Sequence, residues 1–381
     1  MIVNLIWRAA NAQPAPECDD MIRRCAPGAR RAAALICAAL AGCGGSATSP
    51  PATPSEPAWR ATSTACVAPG TIGSCDVPGW AGRPYRVFVP TRTVVASPQP
   101  VVLMFHGGGG NATGTLSITC PPNAANQPDL TSPDCLQQLA EREGFVLVVP
   151  NGSGTPSDPE FRTFNAGGGQ GPWQCVSGLA CATGVNDEGY VRAVLDQLNG
   201  WINVDTRATF ATGLSNGAAL AHRLACTLSS RIVAIASVGG VNQFAVTAPC
   251  QPERPVAVLQ IHGTADPCWT YEESDRVCVG VGSGLKVGVD ASAAAWAARL
   301  GCSATPAVVR EPDRNADGLQ TVSTTWRDCR AALVTLRVEG AGHTWPNGFQ
   351  YQTVGAIGPV SREWGSERIW AFFTANRRSG M

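Results

Sequence analysis

The stretch Thr212-Gly213-Leu214-Ser215-Asn216-Gly217 decides how this chain is read. It sets a serine in a G-x-S-x-G pattern. An apolar, β-prone run, Ala208-Thr209-Phe210-Ala211, precedes it, and a helix-like run from Ala218 to Ala225 follows. A serine on a sharp strand-to-helix turn is held in a strained backbone conformation with its hydroxyl exposed, and the flanking glycines permit the close approach that such a turn demands. The helix points its N-terminal N–H groups at the same spot and favours negative charge there. A plain Gly/Ser turn would share the pattern; the strand before and the helix after are what mark a nucleophile.

A serine hydroxyl is a poor nucleophile until a base takes its proton, and a carboxylate orients that base. In α/β-hydrolases, whose nucleophile turn this stretch resembles, the acid and then the histidine follow the serine in the chain. Of the four histidines, His106 precedes Ser215 and is out of order. His222 lies ~10 Å further along the helix axis and is expected to cap or pack. His262 ends the apolar run Val256–Ile261 and is expected to be a packed strand-end residue. His343 remains as the base. It sits in the Gly-rich loop Gly340-Ala341-Gly342-His343-Thr344-Trp345-Pro346, after the strand-like run 332–338. Asp266, in His262-Gly263-Thr264-Ala265-Asp266-Pro267, stands just past a strand end, where catalytic groups of open α/β sheets gather. Asp275 and Asp290 lie later, in polar or helical surroundings. Acyl transfer also needs donors for a developing oxyanion. One is the backbone N–H of Asn216. The other is expected from His106-Gly107-Gly108-Gly109-Gly110, which directly follows the buried-type strand Val101–Phe105. Gly108 is the first choice, with Gly107 and Gly109 as near rivals.

Six phrases carry a family resemblance: YRVFVP at 85–90, LMFHGG at 103–108, GFVLVVP at 144–150, VDTRATFATGLSNG at 204–217, HGTAD at 262–266 and GHTWPNG at 342–348. Together they resemble the extracellular polyhydroxybutyrate depolymerase and feruloyl esterase group of α/β-hydrolases, over roughly residues 60–376. GLSNG and GHTWPNG are the specific pieces. The resemblance implies a Ser215, Asp266, His343 triad, the set that elimination also selects. Gly217-Ala218 stands where the family often has a Gly pair, and Asn347 where a second Gly is usual; both bear on substrate fit more than on the chemistry.

Alternating segments after residue 84 predict an α/β-hydrolase fold, a mostly parallel central sheet with helices on both faces and long active-site loops. Strands are expected at 85–90, 100–106, 145–150, 207–212, 232–238, 255–261 and 332–338. Helices are expected at 135–143, 187–200, 216–229, 289–300 and 362–376. Two long loops, 107–134 and 151–186, leave strand carboxyl ends and should border the site. Trp173, Trp269 and Trp345 are candidates for an apolar cleft, weighed against ordinary core packing. Asp313-Arg314-Asn315-Ala316-Asp317-Gly318 resembles the start of a calcium loop, but Thr324 occupies the place of the required Glu, and a hairpin turn is expected instead.

Hydrophobic residues make up 44% of the 381, enough for a buried core, and a net charge of zero gives no sign of a nucleic-acid partner. Residues 1–43 read as a targeting segment: a basic stretch from Met21 to Arg31, an apolar core Ala32–Leu40 too short to span a bilayer, and Leu40-Ala41-Gly42-Cys43, which resembles a bacterial lipobox with Cys43 as the acylated residue. Acids among the first twenty residues suggest that translation starts at Met21. Cleavage of an ordinary signal peptide near Ala41 is the alternative. Residues 44–60 form a Gly/Ser/Thr/Pro-rich linker, and 61–377 the catalytic domain. Setting aside Cys18, Cys25, Cys37 and Cys43 leaves twelve of the sixteen cysteines, an even set suited to disulfides in an exported protein. Neighbour pairing is expected (Cys66–Cys75, Cys120–Cys135, Cys175–Cys181, Cys226–Cys250, Cys268–Cys278, Cys302–Cys329), with connectivity left open by the sequence. C-x-x-C pairs are absent and the histidines do not cluster near cysteines, so no metal and no cofactor are expected.

The expected function is therefore a secreted or lipid-anchored serine carboxylic-ester hydrolase, feruloyl-esterase-like, acting through an acyl-enzyme. Its partners would be a hydroxycinnamoyl ester and, through Cys43, a membrane. A poly(3-hydroxybutyrate) or other aliphatic polyester depolymerase is the alternative. An acyltransferase and a non-catalytic binding protein are more remote, the last because all three triad members are present.

Overall fold

Side chains along Val101-Val102-Leu103-Met104-Phe105 alternate between two separate cores. Val101, Leu103 and Phe105 join one, Val102 and Met104 the other. A strand buried on both faces reads as a continuous apolar run because helices cover both sides. The computed structural model describes residues 63–155, 158–173, 175–276 and 284–379, all within one unit, Ala58–Met381. The targeting segment, the lipobox Cys43, the Met21 start and the linker 44–60 lie outside the described residues, as does Cys278.

In chain order the elements are β1 (Thr71–Cys75), β2 (Tyr85–Val89), β3 (Gln99–Phe105), α1 (Ala112–Ile118), α2 (Leu136–Glu143), β4 (Val146–Pro150), β5 (Ser153–Thr155), β6 (Asp158–Thr163), α3 (Asp187–Asn199), β7 (Val204–Leu214), α4 (Asn216–Thr227), β8 (Ala234–Val238), β9 (Ala257–Gly263), α5 (Val289–Leu300), β10 (Ala307–Arg310), β11 (Gln320–Thr325), β12 (Leu333–Glu339), α6 (Val354–Ile357) and α7 (Ser366–Ala375). A ten-stranded sheet runs in the order β1-β2-β4-β3-β7-β8-β9-β12-β11-β10. The strands from β4 to β12 are parallel, and antiparallel pairs extend both edges. Buried side chains of α3, α4 and α5 fill one core. Those of α1, α2 and α7 fill the other.

Each expected strand and helix has its counterpart. The elements not anticipated are short or polar. Helix α1 has seven residues, too few for a periodic signal, and starts where the Asn111 side chain accepts the Gly114 N–H at 2.9 Å. The β5–β6 hairpin interrupts the expected loop 151–186, and the edge strands β1 and β10, with β11 beside β10, carry partly exposed residues. The Asp313–Gly318 segment is the expected turn, between β10 and β11. The Asp313 carboxylate accepts the backbone N–H groups of Asp317 (3.2 Å) and Gly318 (3.1 Å). Five of the expected disulfides are formed: 66–75, 120–135, 175–181, 226–250 and 302–329. Among the described residues no helix is long and apolar enough to cross a membrane.

A buried ion pair anchors the long loop between β4 and α3. Asp187, the first residue of α3, meets Arg83, and its other carboxylate oxygen accepts the N–H of Asn165. Arg83 also donates to the carbonyl of Asn151 at 3.2 Å, and the Tyr190 hydroxyl donates to the carbonyl of Arg83 at 3.0 Å. Both ends of the loop are thereby tied to one guanidinium. Removing one partner strands a buried charge, which costs more than the pair itself contributes. Asp187→Ala is expected to lower stability by about 3–5 kcal/mol, read by urea unfolding. A loss below about 1 kcal/mol, the value of a surface pair, would contradict this role.

Candidate active site

Strands β3, β7, β8, β9 and β12 are neighbours, and the loops leaving their carboxyl ends converge. His106 and the glycines follow β3, Ser215 follows β7, Asp266 follows β9 and His343 follows β12. The turn from β7 into α4 holds Ser215 at φ 58° and ψ −119°, a region that non-glycine residues rarely occupy. Its N–H donates to the carbonyl of Val238 at 2.9 Å. The flanking glycines are required by contact. A Cβ on Gly213 would lie 2.8 Å from the carbonyl oxygen of Phe105, and one on Gly217 would collide with that same oxygen.

His343 Nδ1 lies 2.6 Å from Asp266 Oδ2. A carboxylate only accepts, so Nδ1 carries the proton and Nε2 keeps a lone pair. The second Asp266 oxygen accepts the N–H groups of Cys268 and Trp269, both at 2.8 Å. Burial alone would raise the Asp266 carboxyl, but the neighbouring His343 and His262 rings and these N–H groups hold it below the usual carboxylate range. The His343 backbone is clamped as well: its N–H donates to Ile357 O at 2.6 Å, and the Tyr351 hydroxyl donates to its carbonyl at 2.9 Å. Ser215 and His343 line one cavity of about 410 Å³. The Ser215 hydroxyl has no hydrogen-bond partner among the described residues. A serine–base bond often tightens only when substrate is bound.

The glycine loop removes Gly109, one of the two rivals of Gly108, as an oxyanion donor candidate. The Gly109 N–H donates to Arg162 O (2.9 Å) and the Gly110 N–H to Gly107 O (3.0 Å), so both are occupied. His106 Nδ1 donates to that same Gly107 carbonyl at 2.7 Å, while its Nε2 accepts the Gly152 N–H at 2.8 Å. In a trans peptide the N–H points opposite to the C=O. Fixing Gly107 O toward His106 therefore turns the Gly108 N–H the other way, and among the described residues it has no acceptor. His106 thus shapes the loop although it is not one of the three candidate catalytic residues.

The tryptophans divide. Trp269 lines the cavity, its indole N–H held by the Val287 carbonyl at 2.9 Å. Trp345 does not. It is fully buried in the core beside α7, where its indole donates to Ser366 Oγ at 3.1 Å. Two residues along the turn from His343, the side chain thus joins the core and not the cavity wall. Trp173 also lies off the cavity wall and packs against the other core, paired through its backbone with Gln170 and Leu285. The aromatic wall is instead made by Phe161, from β6, and Tyr351, with Trp269. Neither was anticipated: Phe161 stands in an undetected hairpin, and nothing local to Tyr351 shows that it reaches back to His343.

The remaining histidines pack, as expected. His222 lies between Ser237 Oγ (2.9 Å) and the Trp296 indole (3.0 Å). His262 Nε2 donates to Trp269 O at 2.7 Å and lies 3.4 Å from Asp266 Oδ2, so it also touches the carboxylate.

No family model matches the chain. Over 193 residues (51% of the chain, 23% of the relative) it is 26% identical to the bifunctional acetylxylan esterase/xylanase XynS20E of Neocallimastix patriciarum. Over 295 residues (77% of the chain, 84% of the relative) it is 22% identical to the Aspergillus niger protein named "Probable feruloyl esterase C". Feruloyl esterase C of Emericella nidulans is 27% identical over 187 residues, 49% of the chain and 56% of the relative. Among solved structures, an acetyl xylan esterase from Aspergillus awamori superposes with a TM-score of 0.50 at 15% identity, covering 80% of this chain and 99% of that one. The chain has the α/β-hydrolase fold and is similar to curated feruloyl and acetylxylan esterases. The matched segment spans less than a quarter of the bifunctional relative but most of the Aspergillus niger protein.

Three histidines of this protein are held neutral by burial. His106 is pushed down to about 4 and His222 to about 3, and His262 is lowered as well. An unfolded-chain histidine titrates near 6.5. As pH falls below that value, the unfolded chain takes up protons that the folded chain refuses, so stability declines. His106 alone accounts for roughly 3 kcal/mol between pH 7 and 4. Asp266, whose folded value is depressed, adds a loss in the same direction only below about pH 4. The melting temperature is expected to fall steeply from pH 6.5 to 4, and His222→Gln to flatten the slope by about one proton. A flat profile over that window would contradict the assignment.

Proposed function

We propose that this protein hydrolyses carboxylic esters with Ser215 as nucleophile, His343 as general base and Asp266 as the group that orients it. The observation that carries this reading is the 2.6 Å His343–Asp266 bond, opening on the same cavity as a serine held at φ 58°. His343 Nε2 takes the Ser215 proton as Oγ attacks the ester carbonyl. The imidazolium returns it to the leaving alcohol, and water, activated by the same nitrogen, then cleaves the acyl-enzyme. The backbone N–H groups of Asn216 and Gly108 receive the oxyanion.

The acyl group proposed is hydroxycinnamoyl. A cavity of about 410 Å³ walled by Phe161, Trp269, Tyr351, Ile118 and Leu214 offers apolar and aromatic surface for a planar ring. An acetyl group would leave most of that surface without a partner. The likeness to feruloyl esterases supports this choice. The disulfides fit an oxidising, extracytoplasmic compartment. Anchoring through an acylated Cys43, with residues 61–377 as the catalytic unit, completes the proposal.

Ser215→Ala is expected to lower kcat on methyl ferulate by at least about 10³-fold with melting temperature kept, and Asp266→Asn by about 10⁴-fold. Retained turnover in the serine variant would overturn the mechanism. The wild-type kcat/KM for methyl ferulate is expected to exceed that for a soluble 3-hydroxybutyrate oligomer and for 4-hydroxyphenethyl acetate. A reversed ranking would move the substrate to a polyester or to an acetyl ester while leaving the triad intact.

A further inference from the structure

The side chain of Asn216 ties the nucleophile turn to the long loop before α3. Its Oδ1 accepts the Phe164 N–H at 2.7 Å, and its Nδ2 donates to Phe164 O at 2.9 Å and to Val176 O at 2.6 Å. One buried amide thus fixes two stretches of that loop to the first residue of α4. The next residue after Val176 is Ser177, inside the small ring closed by the Cys175–Cys181 disulfide.

Ser177 has φ 61°, a left-handed conformation unusual for serine, and Gly178 follows at φ 58°. Serine accepts such turns most readily when its hydroxyl bonds the local backbone. This hydroxyl makes no such bond, and it has no hydrogen-bond partner among the described residues. The strain therefore buys no local hydrogen bond, and strained residues with that character gather at functional sites. Ser177 lines the cavity that holds Ser215 and His343, and its side chain stands directly against Gly108. A Cβ built on Gly108 would collide with both Cβ and Oγ of Ser177. The free hydroxyl therefore lies against Gly108, and both residues line the cavity that holds Ser215.

We propose that Ser177 is a catalytic residue whose hydroxyl is a third donor to the oxyanion, beside the N–H groups of Gly108 and Asn216. The inference rests on the triad proposed above. As the Ser215 Oγ–C bond forms, the carbonyl π pair moves onto the oxygen and the Ser215 proton passes to His343 Nε2. Ser177 keeps its own proton and donates a hydrogen bond to the new charge. It takes part in no proton transfer, so its contribution appears only as charge develops.

The test compares Ser177→Ala and Ser177→Gly with wild type and Ser215→Ala on 4-nitrophenyl acetate, with phenylboronic acid as a tetrahedral-adduct inhibitor. Glycine relieves the positive φ, so the pair separates loss of the hydroxyl from a change in loop strain. Expected is a fall in kcat of about 10²-fold in both variants, with KM within about twofold and boronate inhibition weakened in parallel. Turnover within threefold of wild type in both variants overturns the inference and leaves the triad standing. A rise in KM with kcat and boronate binding unchanged also overturns it, since that marks loop packing. An active Ser215→Ala enzyme overturns the triad, and the inference with it.

Discussion

The close approach of the β7–α4 turn to the end of β3 is the constraint on which the rest of the site depends. Gly213 and Gly217 let the turn press against the Phe105 carbonyl, and any side chain there would lift it away. That contact sets Ser215 and the glycine loop side by side: a Cβ on Gly107 would lie 3.4 Å from the Ser215 Cβ. Ser215 and the glycine loop are therefore positioned by one packing event. The backbone strain at Ser215 is sustained because the sheet, α4 and the Val238 carbonyl hold both flanks.

Polar groups around this contact act as braces. His106 orients the Gly107 peptide, the Asn216 amide pins the loop carrying Ser177, and Arg83 with Asp187 ties both ends of that loop to the scaffold. Each brace is buried, so its hydrogen bonds are short of competing water and leaving one unmade is costly. The same burial keeps His106, His222 and His262 neutral, making them hydrogen-bonding parts of the framework. The two imidazoles facing Asp266 differ accordingly. His343 opens on the cavity, whereas His262 is enclosed and spends its N–H on the Trp269 carbonyl.

Much of this was legible before any coordinates. Ser215, Asp266 and His343 follow from chain order and strand ends, and the structure brings Asp266 and His343 into contact. The fold was legible because short apolar runs such as Val101–Phe105, alternating with helix-length segments, fit strands covered on both faces. The tryptophans show where such reasoning stops. Trp269 lies three residues from Asp266 and Trp345 two from His343, yet the first faces the cavity and the second the core. Distance along a turn does not encode direction, because each φ/ψ choice in the loop rotates the next side chain.

By itself, then, the amino-acid order determined what is local or periodic: the strand–turn–helix around Ser215, the alternating β and α segments, and the candidate acid and base by their places after strands. Only the tertiary structure decided which side chains meet across the sheet. The Phe161–Gly109 contact, the Asn216 bridge to Val176 and the meeting of Ser177 with Gly108 join segments 40 to 69 residues apart. Such contacts depend on how loops close over a finished sheet, and no repeating pattern in the chain records that closure.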